Sequence, residues 1–129
     1  MKPIKLTMMC MIYNEDGSFL VLNRTKKDWP GLTFPGGHVE DNETMYEACI
    51  REMKEETGLT VRNLENVGYI EWNDFGDGIR HFAVLFRTKD YDGSIHSSYE
   101  GKVFFIKEED IQNYPLSNDF DKVYEMMKR

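Results

Sequence analysis

The sequence predicts an α/β fold, and three observations carry that prediction. Short β-compatible stretches recur along the whole chain, separated by turns rich in Gly, Asn and Asp. One mid-chain segment, ending at Gly58, repeats its apolar residues with helical period. A second helical segment follows at residues 119–128.

Residues 5–13, KLTMMCMIY, are mostly apolar, as a buried strand would be. Residues 14–17 form a turn, and residues 18–24 are the second strand; the pair is expected to make a hairpin with a longer loop. Arg24 ends that strand, and Lys26 and Lys27 follow in a loop as weak electrostatic attractors at most. Trp29-Pro30-Gly31 is a turn whose indole either stacks on a base or plugs the edge of a core. Leu32 to Phe34 is a short strand leading to Pro35-Gly36-Gly37, a tight turn whose backbone can approach a ligand closely. His38 reads as a hydrogen-bonded loop residue.

A helix is expected at about 43–57, capped by Asp41 or Asn42 and stopped by Gly58 in the left-handed conformation. Met45, Tyr46, Cys49, Ile50 and Met53 share its apolar arc. Glu43, Glu47, Arg51 and Lys54 take the solvated arc, with Glu47 and Arg51 as a favourable i, i+4 pair. Glu52, Glu55 and Glu56 lie on the edge of the apolar arc at i, i+3 and i+4, where like charges repel by about 0.2–0.5 kcal/mol per pair. They also occupy the negative pole of the helix dipole. Three residues that break two local rules point to a site, and oxygen ligands alone favour Mg²⁺, Mn²⁺ or Ca²⁺ over Zn²⁺. The plainer alternative is a solvated acidic face.

Beyond the helix, strands are expected at about 66–72, 79–88 and 102–107. The loop 73–78 borders a pocket, with Asp74 and Asp77 as turn formers rather than calcium ligands. His81 is a strand-edge residue. Residues 91–93 and 97–101 are turns, and 108–111 is a helical turn broken at Tyr114-Pro115. The last helix, 119–128, buries Phe120, Val123 and Met127 and is capped by Ser117 or Asn118.

The chain has 129 residues, enough for a single domain over 1–129 with a real core. Its net charge of −7 argues against DNA duplex binding through a broad basic surface, but a bound metal can reverse the field locally for a small anion. No apolar run approaches the ~18–20 residues of a membrane span, and the first residues do not read as a signal peptide. Cys10 and Cys49 fall in apolar patterns and read as two buried thiols, which suits a cytoplasmic protein.

The spacing G-x5-E-x7-R-E-x-x-E-E-x-G is met by Gly37, Glu43, Arg51, Glu52, Glu55, Glu56 and Gly58, with the aliphatic Leu59 next. This resembles the Nudix box at every fixed position. The resemblance implies an α/β/α sandwich with a mixed β-sheet. It implies Mg²⁺, with Mn²⁺ able to substitute, held by Glu52, Glu55, Glu56, the Gly37 carbonyl and Glu100. It makes Glu52 the first candidate for general base and Glu100 the second, and it gives Glu43, Arg51 and Gly58 structural roles. In the MutT-like branch, Arg24 would meet substrate phosphates beside Gly36 and Gly37, and Asn118, or alternatively Asp119, would read the base. The implied reaction is hydrolysis of a nucleoside triphosphate, with 8-oxo-dGTP or a related purine nucleotide leading. Alternatives are ADP-ribose, other dinucleoside or sugar nucleotides, 5′-triphosphate RNA, a nucleotide-binding sensor without turnover, or a structural interaction protein. A small nucleotide is the expected partner, of a monomer or homodimer.

Overall fold

The structure is a computed structural model and describes residues 1–25 and 30–129. Lys26, Lys27 and Trp29, read above as loop residues and a stacking candidate, lie outside the described residues. The organising strand is β1 (Ile4–Ile12). It runs parallel to β7 (Arg80–Thr88) along its whole length and antiparallel to β4 (Gly36–His38). With β6 (Glu65–Trp72) these make a four-stranded mixed sheet in the order β4-β1-β7-β6. A second, antiparallel sheet has β2 (Phe19–Arg24) between β3 (Gly31–Thr33) and β9 (Gly101–Ile106). β5 (Thr60–Arg62) pairs with β8 (Asp90–Asp92).

Strand alternation divides the interior in two. Met8, Cys10 and Ile12 of β1 and Leu20 and Leu22 of β2 pack with Ala48, Cys49 and Met53 of helix α1 (Met45–Thr57). Met11, Phe19 and Val21 point the other way, onto Phe120, Val123 and Met127 of helix α2 (Phe120–Met127). A helix on each side of the strands is the expected α/β/α sandwich. Each fully buried large apolar side chain contributes about 1.5–3 kcal/mol relative to exposure, so both layers are needed to close the fold. Cys10 and Cys49 are buried free thiols, as expected, and hydrogen bonding to Cys49 together with burial pushes the Cys10 thiol up.

Several local expectations are corrected. β1 and β2 do not form a hairpin: they belong to different sheets, and among the described residues their ladder pairing is limited to the isolated Tyr13–Phe19 bridge. Each has a longer partner elsewhere, β7 for β1 and β9 for β2. Gly36 and Gly37 are not a turn but strand residues against Met9 and Met8, and a Cβ on Gly36 would collide with the Met8 carbonyl. Tyr91 and Asp92 belong to a strand, and the bend comes at Gly93. The 3₁₀ helix Glu108–Asn113 ends at Tyr114, extending the expected helical turn.

Both helix starts also differ. α1 is capped by Thr44, whose hydroxyl accepts from the Glu47 N–H while the Glu47 carboxylate accepts from the Thr44 N–H, a reciprocal capping box. Gly58 does close the helix in the left-handed region, at φ +86°. Tyr46 and Ile50, expected in the apolar arc, are exposed, while Ala48, Glu56 and Thr57 are buried. The buried side is thus rotated towards the acidic edge. At α2, neither Ser117 nor Asn118 is the cap. Asp119 holds that position with φ +62° and makes no capping bond, because its carboxylate accepts from Trp72 Nε1 at 2.6 Å.

Candidate active site

The last turns of α1 lie beside β4, so Glu52 faces Gly37 directly: a Cβ on Gly37 would land on the Glu52 carboxylate. Glu56, one turn further along, is buried. Glu100 enters from the loop just before β9, and the register of Arg24 with Gly101 sets Arg24 next to it, with Nη2 3.8 Å from the carboxylate. Ser98, passed over in the sequence, joins the two acids: its hydroxyl donates to Glu56 Oε2 at 3.3 Å and accepts from the Glu100 N–H at 3.2 Å. Its only signal in the sequence was its place two residues before Glu100.

Glu55 differs from its neighbours. Its side chain is 57% exposed against 12% for Glu52, and it leans on Arg51 Nη1 at 3.2 Å. Arg51 is not the solvated partner of Glu47 that its spacing suggested, since Glu47 is occupied by the capping box. Instead its guanidinium donates to Glu43 at 2.7 and 3.1 Å, to Glu52 at 3.0 Å and to the His38 carbonyl at 2.9 Å. Starting the helix after Glu43 frees that carboxylate to hold Arg51. The pair pins the chain before the helix to the turn that carries Glu52.

Crowding sets the protonation. Burial, then a hydrogen bond shared with the Glu55 carboxyl, raises Glu52 to about 7 against the pull of Arg51. Burial, then a hydrogen bond shared with Glu100 and repulsion from Glu100 and Glu52, raises Glu56 to about 8. Without a cation, protons and one arginine hold these acids together.

The residues fit a hard divalent ion. The donors are all oxygens, the Gly37 position is kept clear for the Glu52 carboxylate, and two carboxyl pairs share protons that a cation would displace. Among the described residues no three acidic, His or Cys side chains already enclose one point. Glu55 turns to Arg51, and Mg²⁺ commonly keeps several waters and takes only one or two carboxylates.

These groups line a cleft of about 1190 Å³. Arg24, Gly36, Gly37, the three helix glutamates and Glu100 line it, and Asn118 reaches it from the segment before α2. That segment is held by β3, where the Leu32 carbonyl accepts from both N–H and hydroxyl of Ser117 at 3.0 and 2.7 Å. Trp72, Phe75, Asp77 and His81 also line the cleft, so the 73–78 loop borders the pocket as expected. His81 is drawn to Asp77 at 2.8 Å and packs its ring, tilted by 48°, against Phe75, with centroids 4.6 Å apart. Asp74 is the turn former expected of it: it accepts from the Gly76 and Gly78 N–H groups and Lys2, which lowers it to about 2.

The model of the NUDIX domain family matches residues 3–127, and the chain belongs to that family. Solved structures with the same fold include the MutT protein from Methanosarcina mazei Go1, at 25% identity and a TM-score of 0.82, covering 99% of this chain and 95% of that one. The MutT NUDIX hydrolase from Burkholderia pseudomallei aligns with a TM-score of 0.84 over 97% of this chain and 98% of its own, but at 18% identity it speaks for the fold alone. Among curated relatives, an isopentenyl-diphosphate Delta-isomerase from Salmonella paratyphi B is 39% identical over 69 residues, covering 50% of this chain. The matched stretch is 38% of that relative's length.

Proposed function

We propose that this protein is a Mg²⁺-dependent hydrolase that cleaves a nucleoside triphosphate to the monophosphate and pyrophosphate, with 8-oxo-dGTP or a related purine nucleotide as substrate. The observation that carries the reading is the clustering of Glu56 with Glu100 and Glu52, the last set against Gly37, in a cleft that Asn118 also lines. The MutT likeness agrees with it.

Glu52, Glu55, Glu56, Glu100 and the Gly37 carbonyl would hold Mg²⁺, or Mn²⁺ in its place. The ion would supply charge neutralisation at the phosphate oxygens and acidification of a water. Glu52 takes the proton of the attacking water, with Glu100 the second candidate; such help is worth about 10²–10⁴-fold. Arg24, already beside Glu100, faces the phosphate chain, which passes Gly36 and Gly37 where they line the cleft. Arg51 keeps Glu52 aimed and Glu43 keeps Arg51 aimed. At the base end, the Asp119 carboxylate is engaged with Trp72, so Asn118 is the better reader of a purine edge: its amide both donates and accepts. A cytoplasmic setting accords with two free thiols and with the absence, among the described residues, of a helix long and apolar enough to cross a membrane.

One observation favours a second reading, the curated match to an enzyme named for isopentenyl diphosphate. Both readings need a diphosphate on the carboxylate cluster and differ in what else fills the cleft. The test is pyrophosphate and phosphate release from a panel of purine and pyrimidine triphosphates, 8-oxo-dGTP, ADP-ribose, 5′-triphosphate RNA and isopentenyl diphosphate, with Mg²⁺ and with EDTA. Mg²⁺-dependent pyrophosphate release, fastest from a purine triphosphate, is expected. Conversion of isopentenyl diphosphate without phosphate release supports the second reading, and stoichiometric nucleotide binding without turnover would make the protein a sensor.

A further inference from the structure

The loop that delivers Glu100 is pinned at its backbone. The Glu100 carbonyl accepts from the Thr25 N–H at 3.2 Å, and the Ser98 carbonyl accepts from the Gly101 N–H at 3.2 Å. Gly101 then runs so close to β2 that a Cβ there would strike the Asn23 carbonyl. What the backbone leaves undecided is where the carboxyl of Glu100 lies relative to the acids of α1.

The Ser98 hydroxyl makes two bonds, and they differ in what they reach. It accepts from the Glu100 N–H, closing the local turn that serine often makes with a residue two positions on. It donates to Glu56 Oε2 at 3.3 Å, 42 residues away on the last turn of α1. A serine that only shapes a loop needs the first bond alone. The second commits the one proton of the hydroxyl to an acid of the cluster. Glu56 in turn shares a hydrogen bond with the Glu100 carboxyl, so Ser98, Glu56 and Glu100 close a ring between loop and helix. A divalent ion would displace the shared proton and leave two carboxylates that repel each other. The bond from Ser98 strengthens in that state, because its acceptor becomes fully charged. One Glu56 oxygen is then held by the serine and the other remains for the ion.

We propose that Ser98 is a positioning residue of the cation site, its hydroxyl holding Glu56 and Glu100 together so that both carboxylates reach one divalent ion. The inference rests on the cation-dependent function proposed for the cleft and adds a residue to it. Mn²⁺ titration of the nucleotide-free full chain, read by electron paramagnetic resonance, tests it in wild type and in Ser98→Ala, Ser98→Val and Ser98→Thr. Ser98→Ala is expected to bind Mn²⁺ at least about tenfold more weakly, as loss of a partner behind a metal ligand commonly does. It should also raise the Mg²⁺ concentration for half-maximal pyrophosphate release, with nucleotide KM at saturating Mg²⁺ unchanged. Ser98→Thr keeps the hydroxyl and is expected to bind as wild type does, whereas Ser98→Val, matched to threonine in shape, should bind as weakly as the alanine variant. A lower melting temperature in EDTA with unchanged Mn²⁺ affinity would make Ser98 a loop former and overturn the proposal, and so would threonine and valine variants that bind alike. Wild type that binds Mn²⁺ without releasing pyrophosphate from any triphosphate contradicts the hydrolase reading, while the Mn²⁺ comparison still decides the role of Ser98. Wild type that binds no Mn²⁺ overturns both.

Discussion

A carboxyl buried beside a second carboxyl keeps its proton, and Glu56 meets that situation with both Glu100 and Glu52. Arg51 relieves the same strain at Glu52 and Glu55. The glutamates and the Asn118 amide line one cleft, and the proposed function divides chemistry and base selectivity between them. Replacing Asn118 by Ala removes one amide and no charge. The preference for purine over pyrimidine triphosphates is expected to fall roughly tenfold, the scale of one net hydrogen bond, with Mg²⁺ dependence unchanged. Steady-state kinetics on the two substrate classes checks this, and equal losses on both would argue against base reading. The fixed acids and glycines were legible in the sequence because their spacing is rigid within one helix and one short strand. Ser98 and the grip of Arg51 on Glu43 were not, since both depend on where loops pass in space.

α1 is the element that brings the acids together, and it carries a cost that depends on pH. Glu52 and Glu56 titrate near 7 and 8 in the folded chain, above the usual 4.5. The folded state therefore holds more protons than the unfolded one through that window, and stability must fall as pH rises from about 4.5 to about 8. Urea unfolding in EDTA at pH 5 and pH 8 is expected to show the lower midpoint at pH 8, and saturating Mg²⁺ is expected to narrow the gap. A midpoint that rises with pH in EDTA would contradict the buried acid pairs. The element itself was readable from its period and its Gly58 stop. Its cap was misassigned because Asp41 and Asn42 are good caps in isolation, whereas the Thr44–Glu47 pair satisfies two N–H groups at once.

At the scale of the molecule, two β-layers held between two helices bring a strand start, a strand end, a helix end and a loop to one cleft. Element order could be read along the chain, but pairing could not. The expected β1–β2 hairpin failed because a nine-residue parallel partner, β7, outcompetes a neighbour in sequence. That parallel pairing is what turns one face of β1 to the cleft and the other to α1. The proposed divalent-cation site draws Glu52, Glu56 and Glu100 from a helix end and a loop that this architecture brings together. Loss of the free Mn²⁺ signal in electron paramagnetic resonance, titrated into wild type and Glu56→Gln without nucleotide, measures cation binding there. Saturable binding by wild type, weakened at least about tenfold in Glu56→Gln with the fold intact, is the expected result. Equal binding by the two proteins, or none by wild type, would contradict it.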